Sequence, residues 1–150
     1  MKILLAIDGS PCSEAAVREV ARRTWPAASE LRVISAYVAH IPIAAEPMFA
    51  VFSDRHESLE YERRRAQVVV ENALAVLRES PTTGALPITI DVIEGAPKRV
   101  IVDEAERWCA DLLVLGSHGY GAIGRVWLGN VSQAVAAHAQ CSVLIARGAH

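Results

Sequence analysis

Apolar residues along this chain fall into short runs separated by stretches of helical spacing. Ile3 to Ile7 is continuously apolar, the pattern of a strand buried on both faces. Ser10-Pro11 predicts a helix start, because a serine oxygen caps free amides and proline suits the first helical position. That helix ends before Pro26. Leu31 to Val38 predicts a second strand. A loop of roughly 15 residues follows, holding Pro42, Pro47 and the apolar run Met48 to Phe52. That run reads either as a flap or subunit contact, or as a local anchor for the loop.

Asp54 with Glu57 reads as a capping box for a long helix ending near Ser80. Its Leu59, Val69, Ala73, Leu74 and Leu77 form an apolar stripe, while Glu62 to Arg65 face water. Pro81 to Gly84 is a turn, and Ile88 to Ile93 is the third strand. Gly95-Ala96-Pro97 opens a third helix that runs to about Cys109. Leu112 to Leu115 is the fourth strand, about Val131 to Ala139 the fourth helix, and Ser142 to Ala146 the last strand.

Five strands separated by helices imply an α/β fold with one doubly wound parallel sheet. Helices are expected on both faces, because the strands read as apolar on both. The 150 residues suit a single domain over 1–150 with a real core. Hydrophobic residues make up 52% and aromatic ones only 5%, so that core is built of Val, Leu, Ile and Ala. The formal charge of -2 points to neither a nucleic-acid nor a membrane partner. Cys12, Cys109 and Cys141 are odd in number and form no C-x-x-C pair, which argues against a disulfide framework or zinc site. Cys141, just before an apolar strand, reads as a small core residue. The opening apolar run is too short for a signal peptide, and no run reaches the ~18 residues of a spanning helix. A soluble, cytoplasmic protein is the expectation.

In doubly wound sheets, ligands bind at the carboxyl ends of strands where the winding reverses. If strand four neighbours strand one, Asp8 and Gly116 share that crevice. The segment from Gly116 to Ser132 is glycine-rich and leads into a helix. Glycines allow close backbone approach, successive amides make an anion nest, and a helix start adds its positive end. No Asp or Glu occurs after Asp111, so no later carboxylate repels a phosphate. Gly119-Tyr120-Gly121-Ala122-Ile123-Gly124 matches a dinucleotide fingerprint only formally. It does not open a helix, and no acid follows for the ribose. A Walker lysine is absent too.

Gly116-x-x-Gly119, nine residues, then Gly129 resembles the G-2x-G-9x-G-(S/T) signature of the universal stress protein family. The resemblance runs from Ala6-Ile7-Asp8 to the closing Cys141-Ser142-Val143-Leu144-Ile145-Ala146. It implies a flavodoxin-like, Rossmann-like five-stranded sheet in the order 3-2-1-4-5. It also implies a homodimer paired through the last strand, 142–146, and bound ATP or AMP. By the same resemblance, Ala6, Ile7 and Asp8 line the adenine and ribose side, and Val38 contacts adenine. Gly116, Ser117, His118 and Gly119 hold ribose and first phosphates, and Gly129, Asn130, Val131 and Ser132 the outer phosphates. The chain departs from the family at Asn130, where Ser or Thr is usual; a backbone amide and a side-chain amide donor remain.

Plainer readings stand beside these. Asp8 with Gly9 is also a strand-end turn. Asn130 is also a helix cap, since Gln133 completes a capping-box pattern. His118 is also an exposed loop histidine, and no partner carboxylate marks it as catalytic. Arg125 is a solvated charge or a clamp on a terminal phosphate. His40, His56, His138 and His150 lack metal-ligand spacing. A Mg²⁺ carried by the phosphates needs few protein ligands. The functional expectation is an ATP- or AMP-binding stress-response or signalling module. The alternatives are a slow or partner-stimulated ATPase and a nucleotide-free dimeric scaffold; no general base is evident for fast turnover.

Overall fold

A computed structural model describes residues 1–39, 48–118 and 128–148, with backbone alone over 48–55. The elements alternate: β1 (Lys2–Ala6), α1 (Pro11–Arg22), β2 (Glu30–Tyr37), α2 (Met48–Glu79) and β3 (Ile88–Glu94). Then follow α3 (Pro97–Arg107), β4 (Leu112–Gly116), α4 (Asn130–His138) and β5 (Ser142–Ala146). The strands form one parallel sheet in the order β3-β2-β1-β4-β5. The doubly wound arrangement is therefore the one the sequence implies.

Strand periodicity divides the core in two. Ile3, Leu5, Ile7, Leu31 and Val33 point to one face and pack with α1 and α2 through Val17, Val20, Val70 and Leu77. Leu4, Ala6, Ile34, Leu113 and Leu115 point to the other, against Ile101, Ala105 and Val135 of α3 and α4. Each fully buried aliphatic side chain contributes about 1.5–3 kcal/mol of transfer free energy. Ile3 pairs with Leu31 on one side and Leu112 on the other, and Ala6 with Ile34 and Leu115. This register brings the carboxyl ends of β1 and β4 level, at the point where the winding reverses.

Three expectations need correction. First, α2 begins at Met48, so Asp54 and Glu57 lie inside the helix and Met48 to Phe52 is helical. Nothing after Pro47 breaks a helix here, and a cap-like pair within a run of helix formers does not make it start. The buried stripe of α2 is Ala66, Val70, Ala73 and Leu77. Second, the sheet is not apolar on both faces throughout. Arg32 of β2 and Asp91 of the edge strand β3 form an ion pair at 3.2 Å, and Arg32 Nε lies 2.8 Å from the buried carboxylate of Glu104 on α3. Arg107 also contacts Glu104. A charged cluster thus stands where α3 leaves β3 partly uncovered. Third, α3 stops earlier than expected, and Cys109 adopts φ 54 just beyond it, a left-handed turn that ends the helix.

Candidate functional site

The crevice above β1 and β4 is assembled by three turns. Asp8 follows β1 and accepts a hydrogen bond from the Ser10 amide at 2.9 Å, with Gly9 at φ 80 completing the turn. Ser10 caps α1, accepting from the Ser13 amide at 3.3 Å. Its hydroxyl donates to the His118 carbonyl at 3.2 Å, tying this turn to the end of β4.

Gly116 closes β4 against the first turn of α1. A Cβ built there would sit 2.6 Å from the Cys12 carbonyl carbon and 2.7 Å from the Ser13 amide nitrogen. The close approach that requires glycine is thus to α1. We expect Gly116→Ala to lose about 2 kcal/mol of stability through forced backbone displacement. Urea unfolding checks this; an unchanged midpoint would contradict it.

The stem of the glycine-rich segment is locked from within. The Ser117 amide donates to the Ala146 carbonyl at 2.8 Å, and the Gly129 amide to the Ser117 carbonyl at 2.7 Å. The Ser132 hydroxyl lies 2.7 Å from the Gly116 carbonyl and 3.1 Å from that of Ser117. Ser117 and Ser132 are both buried. The Ser132 side chain therefore holds the stem.

Beyond the stem, α4 starts without a side-chain cap. Gly129 is the N-cap residue, at φ -68 and ψ 159. Asn130 is the first helical residue, so its reading as the cap is corrected: the cap falls one position earlier, on a residue with no side chain to reveal it. The Gln133 amide is the first to bond back, to the Gly129 carbonyl at 2.9 Å. The amides of Asn130, Val131 and Ser132 precede it and have no intrahelical acceptor. Asn130 Oδ1 accepts from Lys98 Nζ on α3 at 2.6 Å.

A cavity of about 340 Å³ opens between these turns and α3, within the ~300–1,000 Å³ of small-molecule sites. Of the expected residues, Ala6, Ile7 and Asp8 line it from β1, and Gly116 and His118 from β4. Gly129, Asn130, Val131 and Ser132 line it from α4. Ser117 is packed behind the wall, and Val38 lies past the end of β2, where Ala36 is the lining residue. Gly119 and Arg125 lie outside the described residues. Ile34, Ala36, Pro97 and Ile101 also line the cavity, and the sequence reading missed them. The position of Pro97 at a helix start after β3 was the available signal. Asp8 is the sole carboxylate among the described lining residues.

Cys12 lies behind this wall. Burial pulls its thiol upward, but hydrogen bonds from the Ser117 hydroxyl and the Gly148 and His118 amides outweigh that, so it ionises below the usual cysteine range. The Ser117 hydroxyl donates to Cys12 Sγ at 3.6 Å and lies 3.0 Å from His118 Nδ1. Among the described residues, no His, Cys, Asp and Glu group gathers to hold a metal, and no helix is long and apolar enough to cross a membrane.

Comparison with known proteins follows the same lines. The model of the universal stress protein family matches residues 1–147. A universal stress protein of Thermus aquaticus is 34% identical over 145 residues, covering 97% of each chain. Universal stress protein UspA from Lactobacillus plantarum superposes with a TM-score of 0.80 at 26% identity, over 98% of this chain and 97% of that one. A universal stress protein solved in complex with cAMP has a TM-score of 0.59 at 25% identity, over 99% of this chain and 98% of its own. With its β3-β2-β1-β4-β5 sheet and a family match along nearly its whole length, the chain belongs to the universal stress protein family.

Proposed function

We propose that this chain, as one module over residues 1–150, binds ATP or AMP in the cavity above β1 and β4 and serves in a stress response or in signalling. The observation that carries the reading is the uncapped start of α4. Three first-turn amides and the positive helix end meet at a cavity wall, an arrangement suited to phosphate. Ile34, Ala36 and Ile101 supply an apolar flank for a flat base. The Gly116, Gly119, Gly129 spacing and the cAMP complex of a relative point to the same ligand class.

In this reading Ala6, Ile7 and Asp8 face adenine and ribose, and Val38 contacts adenine. Gly116, Ser117, His118 and Gly119 take ribose and first phosphates, with Ser117 acting through the wall it supports. Gly129, Asn130, Val131 and Ser132 take the outer phosphates through backbone amides. Mg²⁺ would ride on the phosphates. The half-exposed Val143, Leu144 and Ile145 on edge strand β5 support pairing with a second copy.

Denaturing the purified protein and identifying released small molecules by mass spectrometry tests the reading. It predicts an adenine nucleotide in near-stoichiometric yield, or its uptake when the emptied protein is dialysed against ATP and AMP. Absence of both release and uptake would remove the proposal.

A further inference from the structure

We propose that Lys98 makes this pocket select nucleotides by phosphate number, favouring a triphosphate over a monophosphate. The inference rests on the nucleotide-binding reading and adds a residue outside the glycine-rich loop. Lys98 is the exposed second residue of α3, beside Pro97 and one turn before Ile101, both of which line the cavity. Its ammonium reaches the start of α4, donating to Asn130 Oδ1 at 2.6 Å.

Among the described residues no carboxylate pairs with Lys98, whereas its neighbour Arg99 is paired with Asp103. An ammonium can only donate, so the bond turns the Asn130 amide nitrogen away from Lys98. The start of α4 thus combines a full positive charge, an amide donor and the first-turn backbone amides.

These groups differ in what they recognise. A helix end carries about half a unit charge within its first turn and suits any phosphate. Lys98 adds a whole charge beyond Asn130, on the side assigned to the outer phosphates. In the proposed arrangement a monophosphate is held at Gly116 to His118, and the outer phosphates of a triphosphate extend to Asn130, the residue Lys98 contacts. Moving the ammonium from Asn130 to a phosphate exchanges a bond to a neutral amide for one to an anion, with no ion pair among the described residues to break.

Titration calorimetry of wild type, Lys98→Met and Lys98→Arg with ATP and AMP tests this. Lys98→Met keeps much of the stem and removes the charge from an exposed position, so the melting temperature should not move. We expect ATP binding to weaken about tenfold and AMP binding to change less than about twofold, with Lys98→Arg retaining the preference. Equal weakening of both ligands, or none, would overturn the assignment of Lys98 while leaving the nucleotide site intact. A wild-type protein that binds neither ligand would instead overturn the nucleotide reading, and this inference with it.

Discussion

Gly129→Leu is expected to weaken ATP binding by more than about 100-fold while the protein still folds. The two halves of this result have separate physical causes. Gly129 lines the cavity immediately before the free amides of α4, so a leucine side chain occupies phosphate space or shields those amides. The fold tolerates it because Gly129 sits at φ -68 and ψ 159, a conformation open to any L-residue. Its amide bond to the Ser117 carbonyl is a backbone contact and survives the change. Leucine is a poorer N-cap than glycine, at a cost of about 1 kcal/mol, or some 2–4 °C in a domain of this size. Calorimetric titration and thermal melting, run on the same sample, separate the two effects. Unchanged affinity in a folded variant would mean that phosphate does not sit at α4.

Asn130→Asp should produce a comparable loss by a different route. The introduced carboxylate takes Lys98 Nζ, now 2.6 Å from Asn130 Oδ1, as its own ion-pair partner. It also competes with the nucleotide for the first-turn amides and places a negative charge among the phosphates. Near the protein surface, one such repulsion a few ångströms away contributes about 3 kcal/mol, so ATP affinity should fall about 100-fold. Stability should move the other way, rising by about 0.3–1 kcal/mol, because an acid in the first helical turn favours the helix dipole. The combination of a higher melting temperature and lost binding is diagnostic. A variant that binds ATP normally would show that Asn130 is remote from the phosphates.

Strands β1 and β4 were legible because they are buried on both sides, so their residues form short continuous apolar runs. The order of the strands in the sheet came with the family resemblance, since pairing is a tertiary property. The start of α2 was obscured because Asp54 and Glu57 mimic a cap inside a continuous helix. Arg32 and Asp91 were hidden for a related reason: the uncovered margin of β3 exists only once α3 has been placed. At the site, the glycine spacing drew attention to the segment after β4, but it did not reveal the contact of Gly116 with α1. The missing side chain of Gly116 makes room for Cys12 and Ser13 of α1. Lys98 was invisible because it lies 32 residues from Asn130 along the chain and meets it only across two helices. The resemblance named Ser132 without a role for its hydroxyl, which is directed to two stem carbonyls.

The most direct test of phosphate binding at the start of α4 is amide chemical-shift mapping of the isotope-labelled protein during titration with ATP. Saturable shifts should be largest at Gly129, Asn130, Val131 and Ser132, with smaller ones at Gly116 to His118 and Asp8. Shifts that fail to saturate, or that cluster away from these residues, would contradict it.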